Sequence, residues 1–391
     1  MSIMEIEKNK KYRIDIPLGY NGNKRIRHIE TFVGGKKEAK VREGELKVLL
    51  RQGNLVVKNN MTVNELAQEY LKIQKDLLSP STYRNYVYRL KVIGEKLGYI
   101  KIQQLSPKVL DNFYAYLRSD FISARGKKLS PTTIQHYYVL INNMLQEAVK
   151  WNYISYNPNL KIKKPHRTRP QIQFYNPSEV EQLVAVLKNE PLKTQAVIML
   201  ALDLGCRRGE LLALTWDDVD LKSGRVIINK SVQSAEGRIY QKETKTPNGD
   251  RVNFISHSTC VLLKKYQTEQ LAQKFRLGPE WINTNRIFTT SNGETMHPDT
   301  PTKLLYGVQK KYNLKKITFH GLRHTNVSLM ISQGIQTQII SRKVGHASIQ
   351  TTDKIYSHFY EDEFKVVANI MDSFLENTAM GAHNQIIKRG F

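Results

Sequence analysis

Cysteine is scarce in this chain. Cys206 and Cys260 are the only two in 391 residues, far apart and without a partner motif. Neither a disulfide framework nor a thiolate metal site is expected, and a reducing cytoplasm is the expected setting. Long apolar runs are missing too. The longest, Ala196-Val197-Ile198-Met199-Leu200-Ala201-Leu202, falls far short of a bilayer span, and Met1-Ser2-Ile3-Met4-Glu5 has no signal-peptide pattern, so no membrane partner is expected. Negative charge is the third shortage. Asp and Glu number 35 against 60 Lys and Arg, a formal net charge of +25. That excess points to a polyanion, and because it runs through every third of the chain, a single basic tail does not account for it. A protein that wraps a long nucleic acid fits best. The apolar fraction of 40% supplies genuine cores, and the length predicts two or three domains.

Three segments follow from local patterning. In residues 1–58, Lys11 to Ile16 alternates as a strand, Pro17 to Asn23 carries turn signals, Arg25 to Val33 reads as more strand, and Lys36 to Arg51 as a helix. A small α+β domain is expected, a three-stranded sheet plus helix, with Arg13, Arg25 and Arg27 as candidate DNA contacts; such sheets enter DNA grooves. Residues 61–158 read as four helices. Thr62 and Glu65 form a capping-box pattern, and Ser79-Pro80, Ser106-Pro107 and Ser130-Pro131 each combine an N-cap residue with a first-turn proline. Arg84 is a candidate DNA contact there, whereas tyrosines at helical spacing are more often core. Residues 159–170 form a basic, proline-flanked linker in which Lys163, Lys164, Arg167 and Arg169 are placed to track phosphates. Residues 171–391 mix helix and strand: a cap at Ser178 to Glu181, an apolar helix from Lys193 to Leu204, strands at Arg225 to Lys230 and Arg251 to Ile255, and helices from Pro301 and Gly321.

Four stretches of this third segment carry unusual side chains. Gly205-Cys206-Arg207-Arg208-Gly209-Glu210 joins two helices and puts an arginine where a helix N-terminus attracts phosphate, although taken alone the stretch reads more readily as a structural Arg–Glu pair. Lys242 to Arg251 is a turn-rich basic stretch between strands, with Lys245 near its middle. His320-Gly321-Leu322-Arg323-His324 opens a helix. Its imidazoles lack the Glu and third ligand of a zinc site, so no metal is expected, and His320 with Arg323 suits an anion better. Gly345-His346 is followed ten residues later by Tyr356-Ser357-His358.

In this order the stretches resemble the tyrosine recombinase (phage-type integrase) family, whose pattern is an Arg with a Glu three residues on, a hairpin Lys, His-x-x-Arg, Gly-His and a Tyr. Val344 stands where the family usually has Leu, and Cys206 where it usually has an aliphatic residue; neither side chain is chemically required. The resemblance extends over the whole chain. It implies an arm-binding domain in residues 1–58, an all-α four-helix core-binding domain, and a mixed, mainly α catalytic domain with a C-terminal tail.

The resemblance also implies a chemistry. Tyr356 is the nucleophile, forming a 3′-phosphotyrosine and freeing a 5′-hydroxyl. Arg207 and Arg323 clamp the non-bridging oxygens, Lys245 protonates the leaving oxygen, His320 helps to accept the tyrosine proton, and His346 donates to the phosphate, with Glu210 orienting an arginine. Neither metal nor ATP is required, and no cofactor is expected. Tyr360, one helical turn on, is the rival nucleophile. The implied partners are double-stranded DNA with core-type and arm-type sites, three further copies of the chain in a homotetrameric synapse, and a directionality factor or DNA-bending protein as accessory. The function implied is integration and excision of a mobile element. A chromosome-dimer-resolving recombinase, a type IB topoisomerase-like enzyme and a non-catalytic DNA-binding protein are the alternatives.

Overall fold

A computed structural model describes residues 3–21, 24–51, 55–56, 59–124, 126–166, 172–235, 237–243 and 250–345, with backbone alone at 19–21, 24–26, 235 and 243. The chain divides into two compact units, residues 1–170 and 171–391.

In the first unit, strands β1 (Ile3–Glu7), β2 (Lys11–Asn21) and β3 (Lys24–Val33) form an antiparallel sheet in that order. Period-two alternation turns Tyr12, Ile14 and Ile16 inward, where Ile14 and Ile16 pack with Leu46 of helix α1 (Lys36–Arg51). The turn expected from Pro17 onward is instead strand: β2 continues to Asn21, with a bulge between Pro17 and Gly19. The reason is positional. Among the described residues, pairing with β1 ends at Ile14 and only β3 continues beside β2 beyond it, so a proline's missing donor can face the open side.

Four helices follow: α2 (Val63–Leu77), α3 (Pro80–Leu97), α4 (Pro107–Ser119) and α5 (Pro131–Lys150). Thr62 and Glu65 form the expected capping box, and the hydroxyls of Ser106 and Ser130 accept from the backbone N–H groups of Val109 and Thr133. Ser79 differs: its hydroxyl bonds those of Ser81 and Thr82, and Pro80 alone sets the start of α3. The tyrosines divide between core and surface, with Tyr88, Tyr99 and Tyr156 exposed. Tyr70, Tyr114, Tyr137 and Tyr138 are buried, and the Tyr114 hydroxyl donates to Asn159 at 2.6 Å.

The second unit is built around α7 (Leu192–Leu204), which is apolar on every side and therefore central. Helices α6 (Pro177–Leu187), α8 (Arg208–Ala213), α9 (His257–Leu277), α10 (Thr300–Lys311), α11 (Phe319–Ser332) and α12 (Thr337–Val344) surround it. Strands β4 (Val219–Asp220), β5 (Arg225–Ile228) and β8 (Arg251–Phe254) make one small sheet, and β6 (Lys230–Ala235) pairs with β7 (Arg238–Glu243) in a hairpin. The cap of α6 is Asn176, bonded to the N–H of Glu179, where Ser178 was expected. Helix α9 had no clear pattern in the sequence. Its buried face alternates Cys260, Leu263 and Tyr266 with Thr259 and Gln270, and these polar members mask the apolar period. Gln270 is satisfied inside by the carbonyls of Arg286 and Ile287 and by the Trp216 indole. None of the described helices is long and apolar enough to cross a membrane.

Candidate active site

Helix α7 ends at Gly205, whose φ of +58° is the left-handed conformation that a side chain resists. An added Cβ would also lie 2.5 Å from Asn326 Oδ1. The chain reverses there and brings Arg207 to the N-cap of α8. Arg207 is clasped by its own helix: its backbone N–H donates to Glu210 Oε2 at 3.0 Å and its Nη1 to Glu210 Oε1 at 2.7 Å. Its Nη2 donates to the carbonyl of Gly345 at 2.9 Å, and the side chain remains 46% exposed, open to a ligand. Glu210 itself is buried. Arg251, whose side chain is also buried, donates from Nη2 to Glu210 Oε2 at 2.6 Å. Burial raises the pKa of this carboxyl, but the hydrogen bonds and charge of Arg251, with Arg207, outweigh it and hold the pKa below the usual range.

Helix α11 begins at Thr318, whose hydroxyl accepts from the Gly321 N–H. Arg323 lies deeper than its spacing from His320 predicts. It is 2% exposed, and its Nη1 donates to the carbonyls of Gly205 and Val344. A guanidinium thus sits at the C-terminal ends of both α7 and α12, where the helix dipoles favour positive charge. Burial, with the nearby Arg207, pushes its pKa down to about 10. His320 keeps an exposed surface, yet burial of its inner side, followed by Arg323 and Arg207, lowers its pKa. The imidazole is therefore neutral at pH 7 and able to take a proton. The His324 ring stands perpendicular to it at 4.8 Å, and burial brings His324 down to about 4.

The arrangement brings Arg207, with Glu210, and Arg323 to the end of α12, and His320 lies near enough to both arginines for their charges to act on it. Lys245, His346 and Tyr356 lie outside the described residues. The β6–β7 hairpin leads toward Lys245 and packs tightly on α8 through Gly209: a Cβ there would meet Ser231 Oγ at 2.5 Å and the Val232 carbonyl at 2.6 Å. Arg286, half-buried, ties the opposite end of α8 to the hairpin by donating to the carbonyls of Leu212 and Ala213 and to Gln241 of β7. Arg251, Asn253 and Arg286 are parts of this corner that sequence reasoning missed, since an arginine opening a strand looks like any solvated charge. Among the described residues no three His, Cys, Asp or Glu side chains converge as a metal site requires.

The candidate DNA contacts are spread through the first unit. Arg13 and Arg27 are exposed on the sheet face away from α1, flanking Asp15 at 3.9 and 3.0 Å. Arg84 is exposed on α3, and Lys163 and Lys164 are exposed after α5. The Arg25 side chain, Arg167 and Arg169 lie outside what is described.

Comparison with known proteins adds the family. Residues 173–363 match the phage integrase family, and residues 62–163 match the phage integrase SAM-like domain. The integrase of Staphylococcus phage L54a is 30% identical over 243 residues, 56% of this chain and 68% of the relative. The chain belongs to the phage integrase family. The ICEBs1 integrase of Bacillus subtilis (strain 168) is 25% identical over 384 residues, 96% of this chain and 100% of the relative. Among solved structures, the Tn1549 transposon integrase in complex with transposon right end DNA shares the fold, with a TM-score of 0.66 at 19% identity over 79% of this chain and 100% of that one. The protein is a site-specific tyrosine recombinase, a DNA strand transferase that integrates and excises mobile genetic elements. Its multidomain helical and mixed fold is that of its structural neighbours, and the chain itself has a small three-stranded sheet with a helix at residues 3–51.

Proposed function

We propose that this recombinase cuts DNA with Tyr356 and that Arg207, Lys245, His320, Arg323 and His346 form the rest of its catalytic set. The observation that carries this is the convergence of Arg207 and Arg323 on the end of α12, the helix that leads to His346 and Tyr356, with His320 near enough to both arginines for their charges to act on it. A phenol with a pKa near 10 attacks phosphorus poorly at pH 7 without a positive field. Arg207, exposed and clasped by Glu210, offers forked donors to the non-bridging oxygens of the scissile phosphate. Arg323, close behind, adds charge at a point where it needs little movement. Neutral His320 helps to take the phenol proton. Lys245 delivers a proton to the departing 5′-oxygen, and His346 donates to the phosphate. The phosphotyrosine conserves the bond energy, so a new 5′-hydroxyl reseals the strand without ATP or metal.

Residues 1–58 act as an arm-type DNA-binding domain through Arg13, Arg25 and Arg27. Residues 61–158 grip the core site, with Arg84 toward the backbone, and the basic linker of residues 159–170 follows the phosphates between them. Residues 171–391 carry the chemistry and a C-terminal tail. Four copies assemble on two DNA sites and pass through a Holliday junction, in the cytoplasm, with a directionality or DNA-bending protein as accessory. The element-mobilising role is favoured over chromosome-dimer resolution by the sheet-and-helix segment at the N-terminus.

A suicide substrate nicked beside the cut site tests the nucleophile. The native chain should trap a covalent protein–DNA complex, Tyr356→Phe should trap none, and Tyr360→Phe should trap as much as the native chain. Trapping by Tyr356→Phe sinks the assignment. Deleting residues 1–58 should keep core-site binding in a gel shift and abolish binding to arm-type repeats.

A further inference from the structure

Three successive carbonyls at the end of α12 are held by four side chains from elsewhere in the second unit. Lys343 O accepts from Arg251 Nε at 3.0 Å and from Asn253 Nδ2 at 2.9 Å, Val344 O accepts from Arg323, and Gly345 O accepts from Arg207. The next residue is His346. Two of the four are the arginines assigned above to the phosphate. Arg207 and Arg251 each reach both halves of the corner, and Arg251 is the one whose side chain is buried: its Nη2 holds Glu210, the carboxylate that clasps Arg207, while its Nε holds the backbone from which His346 continues.

We propose that Arg251, on the reading of the catalytic set given above, is a positioning residue for DNA cleavage: it locks Arg207 and the end of α12 into one rigid frame. Its own side chain is 6% exposed and committed to the protein, so it acts through its partners. The guanidinium suits the task because two nitrogens of one rigid plane reach two fixed acceptors; a lysine has a single nitrogen on a flexible stem. Asn253, two residues on in β8, holds the same Lys343 carbonyl and makes that end of the frame doubly anchored. Freed from Arg251, Glu210 swings with Arg207, and the phosphate-binding fork shifts relative to His346 and Tyr356. Displacements near 1 Å between reacting groups cost about 100-fold in rate.

The test uses the full chain and nicked suicide DNA at saturating concentration. Arg251→Ala should slow formation of the covalent complex about 100-fold, with the half-saturating DNA concentration unchanged within about twofold because Arg251 touches no ligand. Cleavage at the native rate overturns the proposal. Arg251 also opens the strand that follows the Lys245 segment, so a second substrate separates the two routes. With a bridging 5′-sulfur at the cut, the leaving group has a thiol pKa near 8.5 and needs no proton donor. Sulfur should rescue Lys245→Ala and leave Arg251→Ala slow; rescue of Arg251→Ala places its action on Lys245 and overturns the frame. If Arg251→Ala does not fold, Arg251→Lys keeps the charge beside Glu210 but loses the double reach. It should cleave about tenfold slower, and native cleavage by this variant overturns the proposal. Tyr356→Phe, run alongside, tests the underlying catalytic assignment separately.

Discussion

Among the described residues, Glu210 and Asp15 each have two arginines around one carboxylate, and the two clusters differ in much that follows from burial. In the second unit Glu210 and Arg251 are 3% and 6% exposed, and the carboxylate accepts from Arg207 and Arg251 at 2.6–3.0 Å. On the N-terminal sheet Asp15 is 19% exposed, Arg13 and Arg27 are each 44% exposed, and one of the two distances is 3.9 Å. In the first cluster Glu210 and Arg251 are removed from water, with Arg207 alone reaching the surface, and neither of the buried two can lose the other without leaving a bare charge. The second sits in a screened medium where such pairs contribute little, and its guanidinium groups remain available to a phosphate backbone. One arrangement fixes geometry; the other holds charge ready for exchange.

The largest expected effect comes from breaking the buried cluster. Glu210→Ala should destabilise the second unit by about 3–5 kcal/mol, read from urea unfolding by the fluorescence of Trp216 and Trp281 in a Trp151→Phe background. A loss below about 1 kcal/mol, the size of an exposed pair, would put both clusters on one footing and end the contrast.

Acid should sharpen it. His324 has its pKa pushed down to about 4 by burial, so an unfolded chain binds a proton below about 6.5 that the folded chain refuses. Stability is therefore present above pH 6.5 and is lost as pH falls toward 4, by up to about 3 kcal/mol. Glu210, with its pKa held down, extends the loss below about 4.5 in the same direction. The melting temperature of the native chain should drop between pH 7 and 5, and His324→Gln should flatten that slope. An unchanged slope in the variant removes His324 as the cause.

The smallest effect belongs to the sheet. Asp15→Asn should change stability by less than about 1 kcal/mol and raise affinity for arm-type DNA severalfold at low salt, an advantage that fades as salt rises. Unchanged affinity at every salt concentration means that Arg13 and Arg27 do not meet the DNA.

Local features were readable from the chain to the extent that their causes are local. The capping box of Thr62 and Glu65, the serine caps before Pro107 and Pro131, and the apolar run of α7 depend on residues within a turn or two of one another. Strand β2 was cut short in the sequence because a proline looks the same on an open strand edge as in a turn. Helix α9 was hidden because Thr259 and Gln270 face inward, and only their tertiary partners make that tolerable. At the site, Arg207 with Glu210 and His320 with Arg323 were visible as short motifs within an ordered series.

The sequence by itself determined the polyanion-binding charge, the helical caps, the family and the order of its chemistry-bearing residues, because each of these is written in composition or short spacing. Folding alone decided which arginine is buried, which is open, and what each one holds. Arg251 lies 41 residues from Glu210, Arg323 lies 118 from Gly205, and Arg207 lies 138 from Gly345. Hydrogen bonds across such separations depend on packing that sets the burial of both partners, and burial is what turns an ordinary arginine into a fixed part of an active site.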